Sequence, residues 1–171
     1  MLQPHPDRSP SLACRCAVLT VSDTRTLETD RSGQMIQSLL VERGHQVVDY
    51  RILKDEPIAV RLQLQQWCLT PELDAVILNG GTGIAPRDTT YDAIATLLEK
   101  TLPGFGELFR WLSYQEIGSR AMASRAIAGV YRQSLIFALP GSSHGVQMAM
   151  EKLILPELPH LLGQLQGRTS G

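Results

Sequence analysis

The residues best suited to chemistry follow a short apolar run that ends at Asn79. Three glycines and a threonine come next, over Gly80–Gly83, and Arg87 and Asp88 follow. Glycines allow a tight turn whose backbone N–H groups point inward, so a phosphate can sit there without meeting a side chain. The Thr82 hydroxyl adds a donor, and the next helix start adds partial positive charge. The segment is neither GxGxxG nor a Gly-Lys-Ser/Thr phosphate loop, so taken alone it is equally typical of a ligand-free turn.

Two aspartates lie where they could hold a cation beside a phosphate. Asp88 follows the glycines, and Asp55 follows an earlier apolar run, just before Pro57. An acidic residue repels a phosphate unless a cation lies between them, and Mg²⁺ held by one or two carboxylates resolves that conflict. Each aspartate is also a good helix N-cap. Because both follow strand ends, the pair favours a metal site. Glu56 is a third candidate, although a glutamate in the first helical turn is usually solvated.

A second polar loop follows the first apolar run of the chain and contains Ser22, Asp23 and Arg25. Ser and Asp often bond their own backbone, so turn chemistry is the simpler interpretation of this loop. Arg87 has two alternatives as well. It either contacts a phosphate with its guanidinium fork or pairs with Asp88 or Asp23.

A third loop, Leu139–Ser143, is a turn of small residues that leads into a helix, so it is a candidate second anion site. His144 lies directly after it and is the one histidine placed for a role. No Ser-His-Asp or Cys-His arrangement is apparent. Trp67 and Trp111 have helical spacing, which is typical of core or interface residues.

The elements that position these loops alternate along the first half of the chain. Apolar runs predict strands at 16–21, 45–53 and 74–79, and periodic segments predict helices at 34–44 and from Pro57. This order predicts a parallel sheet with right-handed crossovers and helices on both faces. Ligands of such sheets bind at the carboxyl ends of the strands, which is where the polar loops begin.

The second half predicts two more helices, over 91–100 and from about Phe105. Two apolar runs then flank the polar turn 131–134, a spacing typical of a hairpin, so we expect a mixed, mostly parallel sheet. The last helix is expected to break at Pro156 and Pro159, because proline cannot donate a helical hydrogen bond.

Length and composition predict one globular domain. The chain has 171 residues, 43% of them apolar and 19% charged. We place the domain at 15–165, between flexible ends at 1–14 and 166–171. The net charge of -1 argues against nucleic acid and anionic membranes as partners, and no apolar stretch reaches the roughly 18 residues of a membrane span. Three cysteines are too few for a disulfide framework and favour a reducing cytoplasm, and the start lacks the apolar centre of a signal peptide.

Several motifs together resemble the molybdenum cofactor biosynthesis family, both its short protein B branch and its molybdopterin adenylyltransferases. They are LTVSDTRT, GGTGIAPRDTT, PGFGELFRWLSYQEIGSRAMASRAIAG and FALPGS, in this order, and the likeness spans about Cys16 to Leu162. Each motif alone is weak, but the ordered combination is specific. One departure is Tyr91, which stands where the family usually has proline after the Arg-Asp-x-Thr step.

The resemblance implies a three-layer α/β fold that assembles into homotrimers or homohexamers. It implies Mg²⁺-dependent transfer of adenylyl from ATP to the molybdopterin phosphate, with release of pyrophosphate. The alternative is a non-catalytic molybdopterin-binding carrier or scaffold, and a related activity on another nucleotide substrate is a third. Some protein B members have lost the acidic residues, so their retention here favours the enzyme. Other enzymes of the pathway are further candidate partners.

The same resemblance assigns roles to residues. Asp55 and Asp88 match the two aspartates tied to metal and catalysis. Glu107 and Arg110 match a segment near the site, and Arg125 is either structural or close to the pterin. The predicted substrate-binding residues, for the nucleotide at the glycine loop and the pterin and its phosphate elsewhere, are Ser22, Asp23, Gly80, Gly81, Thr82, Gly83, Arg87, Pro140, Gly141, Ser142 and Ser143.

Overall fold

The computed structural model describes residues 12–167, which form one six-stranded sheet covered by helices. The strands are β1 Arg15–Val21, β2 Gln46–Leu53, β3 Ala75–Asn79, β4 Lys100–Thr101, β5 Ile127–Tyr131 and β6 Ser134–Leu139. The α-helices are α1 Arg31–Glu42, α2 Pro57–Trp67, α3 Thr90–Ala95, α4 Pro103–Ile117, α5 Ser143–Ala149 and α6 Leu155–Leu165. A 3₁₀ segment at Gly118–Ala123 follows α4, and a π-helical turn at Met150–Ile154 joins α5 to α6.

The strand order is β2-β1-β3-β6-β5-β4. The first four strands in that order are parallel, and β5 and β4 are antiparallel to their neighbours. The hairpin of β5 and β6 explains the change of direction, because a short turn can only join antiparallel strands. The predicted mixed, mostly parallel sheet is therefore confirmed.

The central strands are buried on both faces, as continuous apolar runs require. In β1, Cys16 and Val18 point into one core cluster, which is shared with helices α1, α4, α5 and α6. Ala17 and Leu19 point into the other, which is shared with α2 and α3. This alternation produces the three layers that the sequence analysis predicts. No helix among residues 12–167 combines the length and apolar character needed to cross a bilayer.

The two largest differences between predicted and observed helix boundaries are the start of α1 and the end of α3, and in each case a local or tertiary contact explains the difference. Helix α1 begins at Arg31 rather than residue 34, because the Asp30 side chain caps it by accepting the Gly33 N–H at 3.0 Å. Helix α3 ends at Ala95, so the prediction of helix to residue 100 is wrong. The chain instead adds the short strand β4, which pairs with β5.

The expected break of the last helix is also wrong. Helical structure continues from Ser143 to Leu165 through the π turn. Pro156 lies just after the π turn Met150–Ile154, where the regular α-helical hydrogen-bond pattern is already interrupted. Pro159 lies inside α6, whose residues Leu158 and Leu162 are fully buried. The predicted ends at 1–14 and 166–171 fall largely outside the described residues, so the domain bounds stay a prediction.

The carboxyl ends of β1, β3 and β6 meet backbone to backbone. Gly80 has φ +97°, and a methyl group there would lie 2.1 Å from the Val21 carbonyl oxygen. Its N–H donates to the Leu139 carbonyl at 3.0 Å. A methyl group at Gly141 would lie 3.4 Å from the Gly80 Cα. Only glycine at 80 allows these strand ends to approach so closely.

We therefore expect Gly80→Ala to lower the free energy of unfolding by about 2 kcal/mol or more, since it adds both backbone strain and a clash with a carbonyl. Gly104→Ala is the matched control, because Gly104 lies in α4 with no atom within 4 Å of an added methyl group. Urea unfolding of both variants measures the difference. Equal stability of the two variants would contradict this account of the strand ends.

His45 lies at the opposite edge of the sheet and is buried. Its Nδ1 accepts the backbone N–H of Cys14 at 3.2 Å. Burial lowers the pKa of His45 below its ordinary value of 6.5, and the nearby charge of Arg43 adds to the shift. The fold therefore favours the neutral imidazole.

A lowered pKa in the folded state means that the stabilising contribution of His45 is complete above pH 6.5 and is lost as the pH falls through the lower folded value. We expect the free energy of unfolding to decrease between pH 7 and pH 5. His45→Gln keeps an acceptor that does not titrate, so this variant should show a shallower decrease. Urea unfolding at several pH values tests the point, and an unchanged decrease in the variant would refute it.

Candidate functional site

The candidate site lies at the carboxyl edge of the parallel strands, where the loops after β1, β2, β3 and β6 meet. The glycine loop Gly80–Gly83 follows β3 and lies at the centre. Gly80 and Gly81 both have positive φ, at +97° and +66°, which explains the need for glycine at these two positions. The Gly81 carbonyl accepts the N–H of Thr90 at 3.0 Å, so the loop is tied to the start of α3.

Asp55 reaches this loop from the end of β2. Its Oδ1 accepts hydrogen bonds from the Thr89 N–H at 3.3 Å, the Thr89 hydroxyl at 2.8 Å and the Thr90 hydroxyl at 3.3 Å. Asp55 therefore caps α3, a helix that begins 35 residues later in the chain. The sequence alternative, in which Asp88 caps this helix, is not what the structure shows, because the N-cap is Thr89.

Asp88 also contacts this loop. Its Oδ2 accepts the Ala85 N–H at 3.1 Å. A methyl group at Gly83 would lie 2.6 Å from that oxygen, and a methyl group at Gly81 would lie 2.5 Å from Oδ2 of Asp55. The two carboxylates thus pack against glycines two positions apart, and any larger residue at either position would push a carboxylate away.

Each carboxylate keeps an oxygen available for a cation. Oδ2 of Asp55 and Oδ1 of Asp88 accept no hydrogen bond from the described residues. Residues 12–167 hold no cluster of three or more His, Cys, Asp or Glu that could enclose a metal. Mg²⁺ is commonly bound by one or two carboxylates and completed by substrate phosphates and water. The donor set of Asp55 and Asp88 therefore fits Mg²⁺ bound together with a phosphate ligand.

Arg87 pairs with Asp23, which is one of the alternatives left open by the sequence. Asp23 also accepts the Asp55 N–H at 3.2 Å through its other oxygen, so it links the loops after β1 and β2. The Arg87 side chain is 66% exposed. An exposed ion pair of this kind contributes little stability, so an anionic ligand can compete for Arg87.

The hydroxyls of Ser22 and Ser142 make turn and cap bonds, whereas the Ser143 Oγ lies 3.2 Å from the Ser32 Oγ of α1. Ser22 Oγ accepts the N–H of Thr24 at 3.3 Å and of Arg25 at 3.2 Å. Ser142 Oγ caps α5 by accepting the Gly145 N–H at 3.3 Å. In both cases the hydroxyl hydrogen stays free to donate, so these local roles are compatible with contacts to an anion.

A buried network behind these loops was absent from the sequence analysis. Asp30 is fully buried, and its carboxylate accepts the Tyr50 hydroxyl at 2.6 Å and an Arg25 N–H at 3.5 Å. Burial, followed by the bond to Asp30, raises the pKa of Tyr50 above its usual value. Arg25 also donates to the Gly141 carbonyl at 3.4 Å. The Asp-x-x-Gly spacing could have revealed the cap at Asp30, but no local pattern predicts its pairing with Tyr50.

An open cavity of about 480 Å³ lies beside this network. Basic side chains of Arg25, Arg51 and Lys54 line it together with Ser22 and Asp23. Arg25 and Arg51 are paired with Asp30 and Asp49, so Lys54 is the lining cation with no salt bridge to the described residues. Its charge suits an anionic ligand. Another cavity, of about 240 Å³, is lined by Arg15, Asp49, Trp67, Glu72 and neighbouring residues, and none of the predicted site residues contributes to it.

The structure also shows the surroundings of His144 and the two tryptophans, whose predicted roles were less specific. His144 Nε2 lies 2.5 Å from a carboxylate oxygen of Glu116, so this exposed pair joins α5 to α4. Trp67 is buried in the core, whereas Trp111 is 58% exposed.

Asn79, which the sequence shows only as the end of a strand, is buried and donates to the Thr20 hydroxyl at 2.8 Å. That bond fixes the ends of β1 and β3 side by side.

Comparison with known proteins places this geometry in a family. Residues 17–160 match the family described as probable molybdopterin binding domain. The molybdenum cofactor biosynthesis protein B of Bacillus subtilis (strain 168) is 51% identical over 166 residues, which is 96% of this chain and 97% of that protein.

Solved structures agree. A crystal structure of molybdenum cofactor biosynthesis protein B superposes with a TM-score of 0.89 at 48% identity and covers 92% of this chain and 99% of its own. The tungsten cofactor synthesizing protein MoaB from Pyrococcus furiosus superposes with a TM-score of 0.81 at 34% identity and covers 92% and 98%. With the family match over most of its length, this chain belongs to the molybdopterin-binding-domain family.

Proposed function

We propose that this protein acts in molybdenum cofactor biosynthesis by transferring adenylyl from ATP to the phosphate of molybdopterin, with release of pyrophosphate. One observation carries the proposal. Asp55 and Asp88 pack against Gly81 and Gly83 of the same loop, and each has a carboxylate oxygen without a hydrogen bond from the described residues. A glycine loop suits phosphates, but two carboxylates beside it suit phosphates only with a cation between them.

The residues divide the work as follows. Backbone N–H groups of the glycine loop bind the phosphates of the nucleotide. The Thr82 side chain, a donor predicted from the sequence, is buried in the structure. Asp55 and Asp88 hold Mg²⁺, which when bound neutralises charge on the transferring phosphoryl group and orients it. Ser22 and the Pro140–Ser143 turn contact the pterin substrate and its phosphate. Arg87 leaves Asp23 to bind an anionic substrate group.

The reaction depends on how the two substrates are positioned and does not require a proton acceptor. An oxygen of the molybdopterin phosphate forms a bond to the α-phosphorus of ATP, and the bond from that phosphorus to the β-phosphate oxygen breaks. The electron pair leaves with pyrophosphate. Because a phosphate ester is already ionised at pH 7, no general base is needed. Holding the two reactants in line supplies most of the rate enhancement.

A non-catalytic carrier of molybdopterin is the alternative function. It uses the basic cavity near Arg25 and Lys54 and leaves the two aspartates to fasten the loops, as Asp55 fastens α3. The free carboxylate oxygens favour the enzyme, because a purely structural role does not require them.

The proposal includes a cytoplasmic location and assembly into homotrimers or homohexamers. Helix α4 carries an exposed apolar stripe that supports self-association. Its members are each more than half exposed and follow one another at intervals of three residues: Leu108, Trp111, Tyr114 and Ile117.

The central prediction concerns the aspartates. We expect Asp55→Asn and Asp88→Asn each to lower kcat for formation of adenylylated molybdopterin by about a hundredfold or more, because each removes a negative ligand from Mg²⁺. Anaerobic incubation with molybdopterin, ATP and Mg²⁺, followed by quantification of product and pyrophosphate, measures this. Omission of Mg²⁺ should abolish product in the wild type.

Glu99→Gln serves as the control for lost surface charge, because Glu99 is exposed and its backbone N–H pairs with Val130 of β5 rather than with the glycine loop. Its turnover should remain close to that of the wild type. Tight molybdopterin binding by the wild type without product would favour the carrier instead. Full turnover in both aspartate variants would contradict the proposed binding of Mg²⁺ by Asp55 and Asp88.

A second prediction concerns assembly. Trp111→Glu places a charge in the α4 stripe and should shift the protein toward the monomer, since burying an unpaired carboxylate in an interface is costly. Ile58→Glu is the control, because Ile58 is 74% exposed on α2, on the opposite face of the sheet. Sedimentation velocity distinguishes the states. An identical distribution for both variants would exclude the α4 stripe as the contact.

A further inference from the structure

Arg125 makes a set of contacts that the proposed function does not use. Its guanidinium lies over the ring of Tyr91, with Cζ 4.3 Å from the ring centroid. One terminal nitrogen donates to the Gly83 carbonyl at 3.1 Å, and the other lies 2.6 Å from a carboxylate oxygen of Asp92. The Arg125 side chain is only 26% exposed. A planar guanidinium that is stacked and bonded at both ends has little freedom to rotate.

The bond to Gly83 reaches the glycine loop directly. Gly83 is the last residue of that loop, and its Cα faces the Asp88 carboxylate so closely that an added methyl group would lie 2.6 Å from Oδ2. Because the peptide group is planar, the carbonyl bonded to Arg125 fixes the orientation of the Gly83–Ile84 peptide, whose N–H faces away from Arg125. One contact therefore sets both a backbone amide and the glycine beside Asp88.

Tyr91 is what keeps Arg125 in place. The Tyr91 side chain is half-buried and packs against the core cluster under α2 and α3, so its ring is a rigid platform. The ion pair with Asp92 cannot replace it, because the Asp92 side chain is exposed and such pairs are weak. Removing the ring would let the guanidinium turn into solvent and release the Gly83 carbonyl. Tyr91 is also the residue at which this chain departs from the Thr-Pro step.

We infer that Tyr91 and Arg125 are positioning residues that hold the second half of the glycine loop in the conformation that binds the phosphates of the nucleotide. The inference rests on the proposed function, because it assigns the loop to the nucleotide rather than to the pterin. It predicts an effect on one substrate only. A loosened Gly83 weakens nucleotide binding, while the pterin contacts at the loops after β1 and β6 stay intact.

The test is titration of the intact protein with ATP and Mg²⁺ by calorimetry, supported by steady-state kinetics. We expect Arg125→Lys and Tyr91→Ala each to weaken ATP binding and raise KM for ATP by about tenfold, since each removes the stacked, forked contact. The KM for molybdopterin should stay unchanged. Tyr91→Phe keeps the ring and should bind ATP as the wild type does. Arg43→Ala, which removes an exposed arginine far from the loop, is the charge control.

The outcomes distinguish a failure of the inference from a failure of the proposed function. Wild-type affinity for ATP in Arg125→Lys and Tyr91→Ala would overturn the inference and leave the proposed function standing. Equal weakening for ATP and molybdopterin, or a loss of thermal stability that Tyr91→Phe does not rescue, would also overturn it, because either result indicates a general structural role. Absence of ATP binding by the wild type would contradict the proposed function itself, and the inference with it.

Discussion

Gly80 lies so close to β1 that a single methyl group on it would meet the Val21 carbonyl at 2.1 Å. This contact sets the distance between the ends of the two central strands, and the other features of the edge depend on it. The loop after β3 leaves the sheet beside the loop after β1, and the Gly80 N–H joins both to β6. The candidate site exists because three strand ends are in backbone contact, which side chains at this position would prevent.

Asp55 shows how one residue serves both the fold and the proposed chemistry. One carboxylate oxygen takes three hydrogen bonds from the start of α3, and the other faces Gly81. The first set fixes the direction of the second oxygen, as the proposed cation site requires. The two oxygens of Asp23 also have different partners. One accepts the Asp55 N–H, and the other pairs with Arg87. The loops thus hold one another in place, although they come from distant parts of the sequence.

Much of this arrangement was predictable. Continuous apolar runs and alternating helices were enough to predict the mostly parallel sheet, because buried central strands leave a strong pattern. Polar loops after those strands had to meet at one edge. The start of α1 was missed at a local cap, whereas two other errors came from tertiary contacts that no local pattern records. Helix α3 stops early because β4 pairs with β5, and the last helix survives Pro159 because its apolar face is already packed.

The individual partners within the site were less predictable than its location. The capping of α3 by Asp55 spans 34 residues, the Tyr50–Asp30 bond joins a strand to a helix start, and Arg125 reaches Gly83 across 42 positions. Side-chain type shows what a residue can bond to, but only the fold decides which group comes within reach. For the same reason the sequence left Arg87 with several alternatives, and its pairing with Asp23 became visible only in the fold.

The claim that two aspartates hold a cation against a phosphate on the glycine loop is open to direct observation. The decisive measurement is a crystal structure of this protein with Mn²⁺ and an ATP analogue that has a methylene group between its α- and β-phosphorus atoms, with the metal located by its anomalous signal. The account predicts the metal peak within coordination distance of carboxylate oxygens of both Asp55 and Asp88, with the phosphates over Gly80–Gly83. A nucleotide bound elsewhere, or a metal that touches neither aspartate, would contradict it.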